Sequence, residues 1–227
     1  LSRYRHDRTF HKSLSQSRLE NVYEPKKRWI ENTLLLQGMQ KPHVLEVTTP
    51  PSSFTALLKD EKTFGEVLLV PEMELASGGW KGKNVDAAIL LESLDRVSHP
   101  DLLLKNVYES LNKGGIVFVT ALVSSGFDMT ILGRENAYLY PPDRANCFSL
   151  DGLHGMLSKA GFKLLEVSTP GVLDVDVVAT HFNHGVLAPL STFEKNVMEA
   201  GSEIKMAFQK FLQQSNMSSF ARLVAVK

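Results

Sequence analysis

Short apolar runs alternate with segments of helical periodicity, and this alternation constrains the fold more than any other feature of the sequence. The runs are residues 44–47, 67–70, 86–91 and 116–119, and each is followed by a polar residue or a proline. Strands that are apolar along most of their length are expected in a parallel sheet covered by helices on both faces. The sequence therefore predicts an α/β fold of three layers, with a doubly wound sheet between two layers of helices.

The segments around these strands carry helix start and stop signals. A helix is predicted from about Pro25 to Gly38, because proline is tolerated in a first turn and glycine ends a helix. A second helix is predicted from about Ser52, and a third ends at Gly114 and Gly115. The inner face of this third helix is predicted to carry Leu102, Leu103, Val107 and Leu111.

The C-terminal part follows a different pattern. Ser149 is a predicted N-cap of a helix that ends at Gly161, and residues 162–167 are predicted to form a strand. One longer helix is predicted over about residues 191–213. Its inward side chains are predicted to be Phe193, Val197, Ile204, Phe208 and Leu212. Alternation over residues 221–226 predicts a last strand that is antiparallel at the edge of the sheet.

Charge and domain organisation narrow the range of partners. The 25 basic residues balance the 25 acidic ones, so the net charge gives no reason to expect a nucleic-acid or anionic-membrane partner. Basic residues concentrate in the first dozen positions, which predicts a solvated N-terminal arm over residues 1–20. One domain is expected over residues 21–227. Because the chain starts at Leu1 rather than methionine, we expect a further segment before it.

The cysteine and histidine content argues against disulfides and metal sites. Cys147 is the one cysteine, so an intramolecular disulfide is impossible and a reducing, cytoplasmic location is expected. His181 and His184 are three residues apart, but no Cys, Asp or Glu beside them completes a set of metal ligands. No apolar run approaches the ~20 residues that span a bilayer, and no signal peptide is visible.

Several motifs, in the right order, resemble one enzyme family. Residues 111–119 contain Leu-Asn-Lys-Gly-Gly and an apolar strand, which resembles the turn into the fifth strand of class I S-adenosylmethionine (SAM)-dependent methyltransferases. Residues 85–97 resemble that family's fourth strand and the turn after it. Residues 125–128 and 140–149 resemble a P-P-D/E-H-x-N-x-F-S stretch in one branch, and residues 150–178 resemble the same branch. The resemblance covers about residues 20–227.

The resemblance implies a Rossmann-like fold with a mostly parallel, seven-stranded sheet and an antiparallel strand near the end. It also implies SAM as cofactor, bound across the carboxyl ends of the strands. The loop after the first strand is glycine-rich in the family, but residues 46–54 contain no glycine, so this motif is degenerate. The implied cofactor-binding residues are Glu46, Thr48, Thr49, Ser52, Glu72, Leu91 and Glu92, with Glu72 on the ribose hydroxyls and Glu74 as a second choice.

The segment after the fifth strand of the family would line the acceptor side. The implied substrate-binding residues are Arg96, Phe127, Tyr140, Asp143, Arg144 and Asn146, with Tyr138 nearby. Arg96 and Arg144 stand where the family has histidines. An arginine cannot act as a general base at neutral pH, but it can bind an acidic group. No catalytic residue is assigned.

Two functions from different classes remain open. The first is an active SAM-dependent methyltransferase acting on a small molecule, for example a sugar or other carbohydrate intermediate. The second is a methyltransferase-like domain that has lost SAM binding and serves as a structural or partner-binding module. The loop without glycine, with Ser52 as a helix cap, and the two arginines favour the second. The retained acids, the Gly-Gly turn and the C-terminal block favour the first.

Nucleotide-dependent oxidoreduction is disfavoured because no G-x-G-x-x-G follows a strand. The oligomeric state is left open.

Overall fold

The strands form one mixed sheet that is parallel over most of its width. The computed structural model describes residues 16–50, 52–59, 62–80, 82, 84–139, 144–185 and 190–227. The strands are β1 (Val44–Val47), β2 (Val67–Val70), β3 (Val85–Leu91), β4 (Leu111–Leu122), β5 (Lys163–Ser168) and β6 (Phe220–Val226). Their order across the sheet is β2-β1-β3-β4-β6-β5. Strands β1 to β4 pair in parallel, and β6 runs antiparallel to both β4 and β5.

Nine α-helices lie within the described residues. They are α1 (Glu24–Leu36), α2 (Ser53–Lys59), α3 (Glu72–Ala76), α4 (Pro100–Ser110), α5 (Phe127–Leu132), α6 (Leu150–Lys159), α7 (Asp174–Asn183), α8 (Thr192–Glu199) and α9 (Ser202–Gln214). A π-helical turn, Leu19–Tyr23, runs directly into α1. The Oγ of Ser149 accepts a 3.0 Å hydrogen bond from the Gly152 N–H and caps α6. None of the described helices has the length and apolar character needed to cross a membrane.

Two apolar layers cover the sheet, as the alternating pattern predicts. On one face, α4 and α6 pack buried leucines such as Leu104 and Leu157 against β3, β4 and β6. On the other face, α1 and α2 pack Ile30 and Phe54 against the same sheet. The central strands are therefore buried from both sides, which is why they are apolar along their length. The predicted three-layer α/β fold is confirmed.

A third apolar cluster lies among helices alone. Helices α5, α7, α8 and α9 pack around buried residues that include Leu132, Val178, Met198 and Leu212. We call this set the helical cluster. A buried polar joint ties it to the sheet, because the Asp174 carboxylate at the start of α7 accepts hydrogen bonds from residues just before β6. Its donors are Ser218 Oγ at 2.7 Å, the Ser219 N–H at 2.6 Å and Gln209 Nε2 at 2.7 Å.

The strand count differs from the seven that the resemblance implies. The described residues contain six strands, and β2 is the outermost strand on its side of the sheet. Between α3 and β3, the described residues of 77–84 form turns and irregular backbone. Gly78 has a φ of +72°, and glycine is unfavourable in strands because it has no side chain to pack.

The prediction of one long helix over residues 191–213 is wrong. The chain forms α8 and α9, which are separated by extended backbone at Ala200 (ψ 160°) and Gly201 (ψ 165°). Phe193 is 63% exposed and Ile204 is 57% exposed, rather than facing inward. Helix α7 was not predicted.

The predicted inner face of the third helix also needs correction. Leu102 is 44% exposed, and Leu111 is the first residue of β4 rather than part of α4. The helix ends at Ser110, three residues before the Lys113-Gly114-Gly115 signal, because the chain turns into the strand immediately.

Candidate functional site

The carboxyl ends of the parallel strands meet at one edge of the sheet, where ligands bind in folds of this type. The loops at this edge are tied to one another by short hydrogen bonds. The Thr48 N–H donates to the Val70 carbonyl at 3.0 Å, and Ser93 Oγ donates to the Val47 carbonyl at 2.6 Å. The Glu92 N–H donates to the Thr120 carbonyl at 2.9 Å. The ends of β1 to β4 are therefore tied to one another, and we call the region over this edge of the sheet the strand-end crevice, after the place where such folds bind ligands.

Glu46 lies at the base of this crevice and is satisfied by hydroxyl groups of the same chain. Its carboxylate is 2% exposed and accepts a 2.8 Å hydrogen bond from Ser52 Oγ. Thr55 Oγ1 donates to the other oxygen, and the Thr55 N–H donates to Ser52 Oγ at 3.1 Å. Burial raises the pKa of Glu46, although the two hydroxyl groups oppose this. Ser52 thus caps α2 and also hydrogen-bonds Glu46, the residue that matches the acidic residue of the family.

Glu72 is a buried acid at the end of β2, as the sequence predicts for a ribose-binding carboxylate. It is 3% exposed, and Oε2 accepts a 2.7 Å hydrogen bond from Thr49 Oγ1. Its Oε1 is buried without a hydrogen-bond partner among the described residues. The neighbouring Glu74 is exposed. An acceptor oxygen that is buried and unsatisfied is costly, so Glu72 is poised to take a further donor such as a hydroxyl group.

Glu92, after β3, is the centre of a group of ion pairs. Its backbone has a φ of +59°, which is uncommon for a residue with a side chain and turns the carboxylate into the crevice. Arg144 Nη2 binds Glu92 Oε2 at 2.7 Å, and Nη1 of the same guanidinium binds Asp95. Lys26 Nζ of α1 lies 3.5 Å from Glu92 Oε1. One arginine therefore joins two acids of the turn that follows β3.

The two acids that share Arg144 differ in their pKa. Burial raises the pKa of Glu92, but Lys26 and Arg144 outweigh burial and leave this pKa below its usual value. Burial raises the pKa of Asp95 to about 6, because Asp95 is 1% exposed and the opposing effect of Arg144 is smaller. Lys26 is 6% exposed, and burial lowers its pKa although Glu92 opposes this. The opposite directions arise because Lys26 adds to Arg144 at Glu92, whereas the negative charge of Glu92 itself adds to burial at Asp95.

Only part of the predicted acceptor side reaches the crevice. Asn146 shapes the turn after β3, because its Nδ2 donates to the carbonyls of Leu94 (3.2 Å) and Val97 (2.6 Å). Phe127 packs in the helical cluster, with its ring centroid 5.2 Å from that of Phe208. Arg96 is exposed.

The other predicted site residues fall into three groups. Leu91 packs against the apolar layer under α1. Tyr138 is 45% exposed. Tyr140 and Asp143 lie outside the described residues, so their predicted roles stay predictions.

Sequence reasoning missed two members of the site. Lys26 lies on α1, far from every motif, and nothing in its spacing distinguishes it from the adjacent Lys27. Asp95 belongs to the turn that resembles the family, but the sequence assigned substrate binding to the adjacent Arg96 and no role to Asp95. The pairing of Lys26 with Glu92 is visible only in the folded structure, because the two residues lie on elements that are far apart in the sequence.

The residues of the crevice fit the polar groups of SAM in their chemistry. A buried carboxylate with a free oxygen, Glu72, suits a ribose hydroxyl donor, and Glu92 suits a cationic group. The contacts of Thr49 with Glu72 and of Arg144 with Glu92 would have to loosen for such groups to bind. For metal ions, the described residues contain no convergent group of three His, Cys, Asp or Glu side chains.

The family follows from comparison with known sequences. A family model described as a methyltransferase domain matches residues 23–167, and the chain belongs to that family. The resemblance inferred from the motifs is thereby confirmed. No curated relative matches the chain at a significant level.

Solved structures confirm the fold. A SAM-dependent methyltransferase from Archaeoglobus fulgidus is 13% identical, with a TM-score of 0.56, and the match covers 97% of this chain and 100% of that one. The plantazolicin methyltransferase BamL, in complex with a triazolic desmethylPZN analogue and S-adenosylhomocysteine (SAH), is 12% identical with a TM-score of 0.53, and the match covers 99% of this chain and 92% of that one. Phosphoethanolamine N-methyltransferase 2 from Haemonchus contortus, solved with phosphomonomethylethanolamine and SAH, is 14% identical with a TM-score of 0.54, covering 88% and 53%. The predicted cofactor, SAM, agrees with the family and with these structures.

Proposed function

We propose that this chain is a SAM-dependent methyltransferase that acts on a small molecule, with a carbohydrate intermediate as one candidate class of acceptor. The observation that carries the proposal is Glu72, a buried carboxylate at the end of β2 with one oxygen unpartnered among the described residues. The cytoplasmic location expected from the lone cysteine suits such an enzyme.

The residues of the crevice have separate tasks in this proposal. SAM supplies an electrophilic methyl group on its sulfonium. Glu72 accepts ribose hydroxyls, and Glu92, whose lowered pKa keeps it ionised, stabilises positive charge beside the end of β3. Ser93 fixes the loop after β1 through its 2.6 Å hydrogen bond to the Val47 carbonyl. Holding donor and acceptor in line is the main requirement of methyl transfer, so rigid loops matter more here than a general base.

One set of contacts favours the second function, a domain that no longer binds SAM. Thr49 already donates to Glu72, and Arg144 already holds Glu92 and Asp95. The loop after β1 also lacks glycine, so its side chains occupy space beside the cofactor. In that case the domain acts as a structural or partner-binding module.

Calorimetric titration with SAM and SAH separates the two functions. Micromolar binding supports the enzyme, and absence of binding at millimolar ligand supports the module. Glu72→Gln is expected to weaken SAM binding at least about tenfold, since a hydrogen bond to a charged group contributes about 1.5–3 kcal/mol. Glu74→Gln is the matched control, because Glu74 is exposed two residues away, and it should leave affinity unchanged. Equal SAM affinities of the two variants would show that Glu72 does not bind SAM.

The loop after β1 gives a second test. Thr49→Ala removes the hydroxyl that occupies Glu72, so SAM affinity should rise if this contact competes with the cofactor. Thr48→Gly combined with Pro50→Gly removes side chains from the loop and should raise affinity further. Unchanged SAM affinity in all these variants would show that the side chains of this loop do not obstruct SAM binding.

A further inference from the structure

Three cations lie over aromatic rings on one side of the strand-end crevice. Arg18 lies 5.5 Å from the centroid of the Tyr23 ring, and Lys26 lies 5.1 Å from that of Phe220. Arg222 of β6 lies 5.2 Å from the ring of Trp29. We call Arg18, Lys26 and Arg222 the α1–β6 cation cluster. Burial lowers the pKa of Lys26 most, and the positive charges of Arg222 and Arg18 lower it further.

The cations of this cluster lack sufficient counter-charge. Among the described residues Lys26 has one carboxylate partner, Glu92, at 3.5 Å, and Arg144 already holds that carboxylate at 2.7 Å. The side chain of Arg222 makes no hydrogen bond or ion pair with any residue that the structure describes, and its Nε is buried without a partner. Glu166 on the neighbouring strand favours the charged form of Arg222, but burial still lowers the pKa of Arg222. Aromatic faces attract cations but do not accept their N–H hydrogen bonds as a carboxylate does.

The cluster lies near Glu92, the acid that follows β3. Arg222 is paired across the sheet with Thr120, and the Thr120 carbonyl accepts the hydrogen bond of the Glu92 N–H. Lys26 reaches the Glu92 carboxylate from α1. Lys26 therefore contacts the acid that follows β3, and Arg222 lies on the strand position opposite the residue that binds the backbone of this acid.

We infer that the acceptor carries an anionic group, a carboxylate or a phosphate, which Lys26 and Arg222 bind. This inference rests on the proposed methyltransferase function and names the class of its acceptor. The burial of Lys26, 6% exposed, excludes a membrane surface or a nucleic acid, because only a small ligand reaches a charge at that depth. An anion between the two side chains would also offset the electrostatic cost of burying like charges together.

Binding of simple anions tests the site without knowledge of the acceptor. The probes are sodium phosphate and sodium acetate, titrated against sodium chloride at equal ionic strength and followed by NMR chemical shifts of the backbone amides. Wild type is expected to bind one of these anions with shifts around β6 and α1. Arg222→Gln and Lys26→Gln should each weaken binding about tenfold or more, because each loses a charge-assisted hydrogen bond.

Two further variants keep the test decisive. Lys105→Gln removes an exposed lysine of α4, whose pair with Glu109 is on the surface, and should leave anion binding unchanged. Arg222→Lys keeps the charge and should retain most of the binding even if Arg222→Gln is poorly folded. Equal binding by wild type and well-folded Arg222→Gln, or no binding of either probe to wild type, would overturn the inference.

The failure of this inference and that of the proposed function are distinguishable. If SAM binds but the anion probes do not, the acceptor class is wrong and the methyltransferase remains. If the anion probes bind through Arg222 but SAM does not bind, the anion site stands and the proposed enzyme fails. With an active enzyme, amino acids and their neutral amides form matched pairs of acceptors, and SAH release should be faster with the carboxylates.

Discussion

The sheet with its two helical layers and the helical cluster bury their apolar residues in different ways. In the sheet, the central side chains Ala87, Ile89 and Phe118 are fully buried because helices cover both faces. In the helical cluster, short helices share a small core, and large apolar residues remain exposed on α8 and α9, among them Phe193, Ile204, Met206 and Phe211. Cooperative stability should therefore reside in the sheet, while the cluster opens more readily.

The largest expected effect comes from truncating matched leucines in the two regions. Leu104→Ala, in α4, should lower the free energy of unfolding by about 2–5 kcal/mol, since Leu104 is fully buried under the sheet. Leu212→Ala, in α9, should cost less and should increase hydrogen exchange mainly in α7, α8 and α9. Urea denaturation and amide exchange measure both. Faster exchange throughout β3 and β4 in Leu212→Ala would show that the two regions unfold as one.

The next effect concerns the joint between the two regions. Asp174→Ala leaves the Ser219 N–H, Ser218 Oγ and Gln209 Nε2 without their buried acceptor. We expect a loss of about 3 kcal/mol, because each buried unsatisfied donor is costly. Asp176→Ala on the same helix is the control, since Asp176 is exposed. A similar urea midpoint for the two variants would mean that the joint contributes little.

A third, smaller effect depends on pH. Burial raises the pKa of Asp128 in α5, with Asp174 adding to this and the hydrogen bond from Asn136 opposing it. A raised pKa in the folded state means that the stabilisation is present below the unfolded-state pKa of about 3.9 and is lost as pH rises through the folded-state pKa. Asp128→Asn should therefore gain stability relative to wild type as pH rises from about 4 towards 7. Urea midpoints across this range measure the change, and a constant difference would contradict it.

The smallest expected effect lies at the break between α8 and α9. Gly201 has φ −64° and ψ 165° at the N-cap of α9, and a Cβ there meets open space. Gly201→Ser should stabilise the protein by a few tenths of a kcal/mol, because serine caps a helix better than glycine. Gly161→Ser is the contrasting variant, since its φ of +100° and the Tyr108 ring 3.0 Å from an added Cβ make it destabilising. Thermal denaturation should shift in opposite directions.

The fold was predictable where local patterns and burial agree. The apolar runs at residues 67–70 and 116–119 predict strands, and the structure confirms both, with 116–119 fully buried and 67–70 partly buried at the edge of the sheet. The pattern fails in the helical cluster, where apolar residues such as Phe193 also occupy exposed positions, so periodicity no longer marks the inner face.

In the site, the sequence could indicate only the residues that directly follow the ends of strands. Thr49, Ser52, Glu72 and Glu92 follow strand ends, and a parallel sheet brings strand ends together. Lys26 joins Glu92 across 66 positions of the sequence, and no local signal records such a pairing.

The outermost position of β2 has a consequence for how this protein behaves at high concentration. Within the described chain the sheet ends at a strand of four apolar residues, whose outward amides and carbonyls offer a template for another strand. Because β2 has four residues, a strand added beside it would form few hydrogen bonds. Placing a lysine at Leu69, a half-buried position, would add charge along this rim and should keep separate copies of the chain apart.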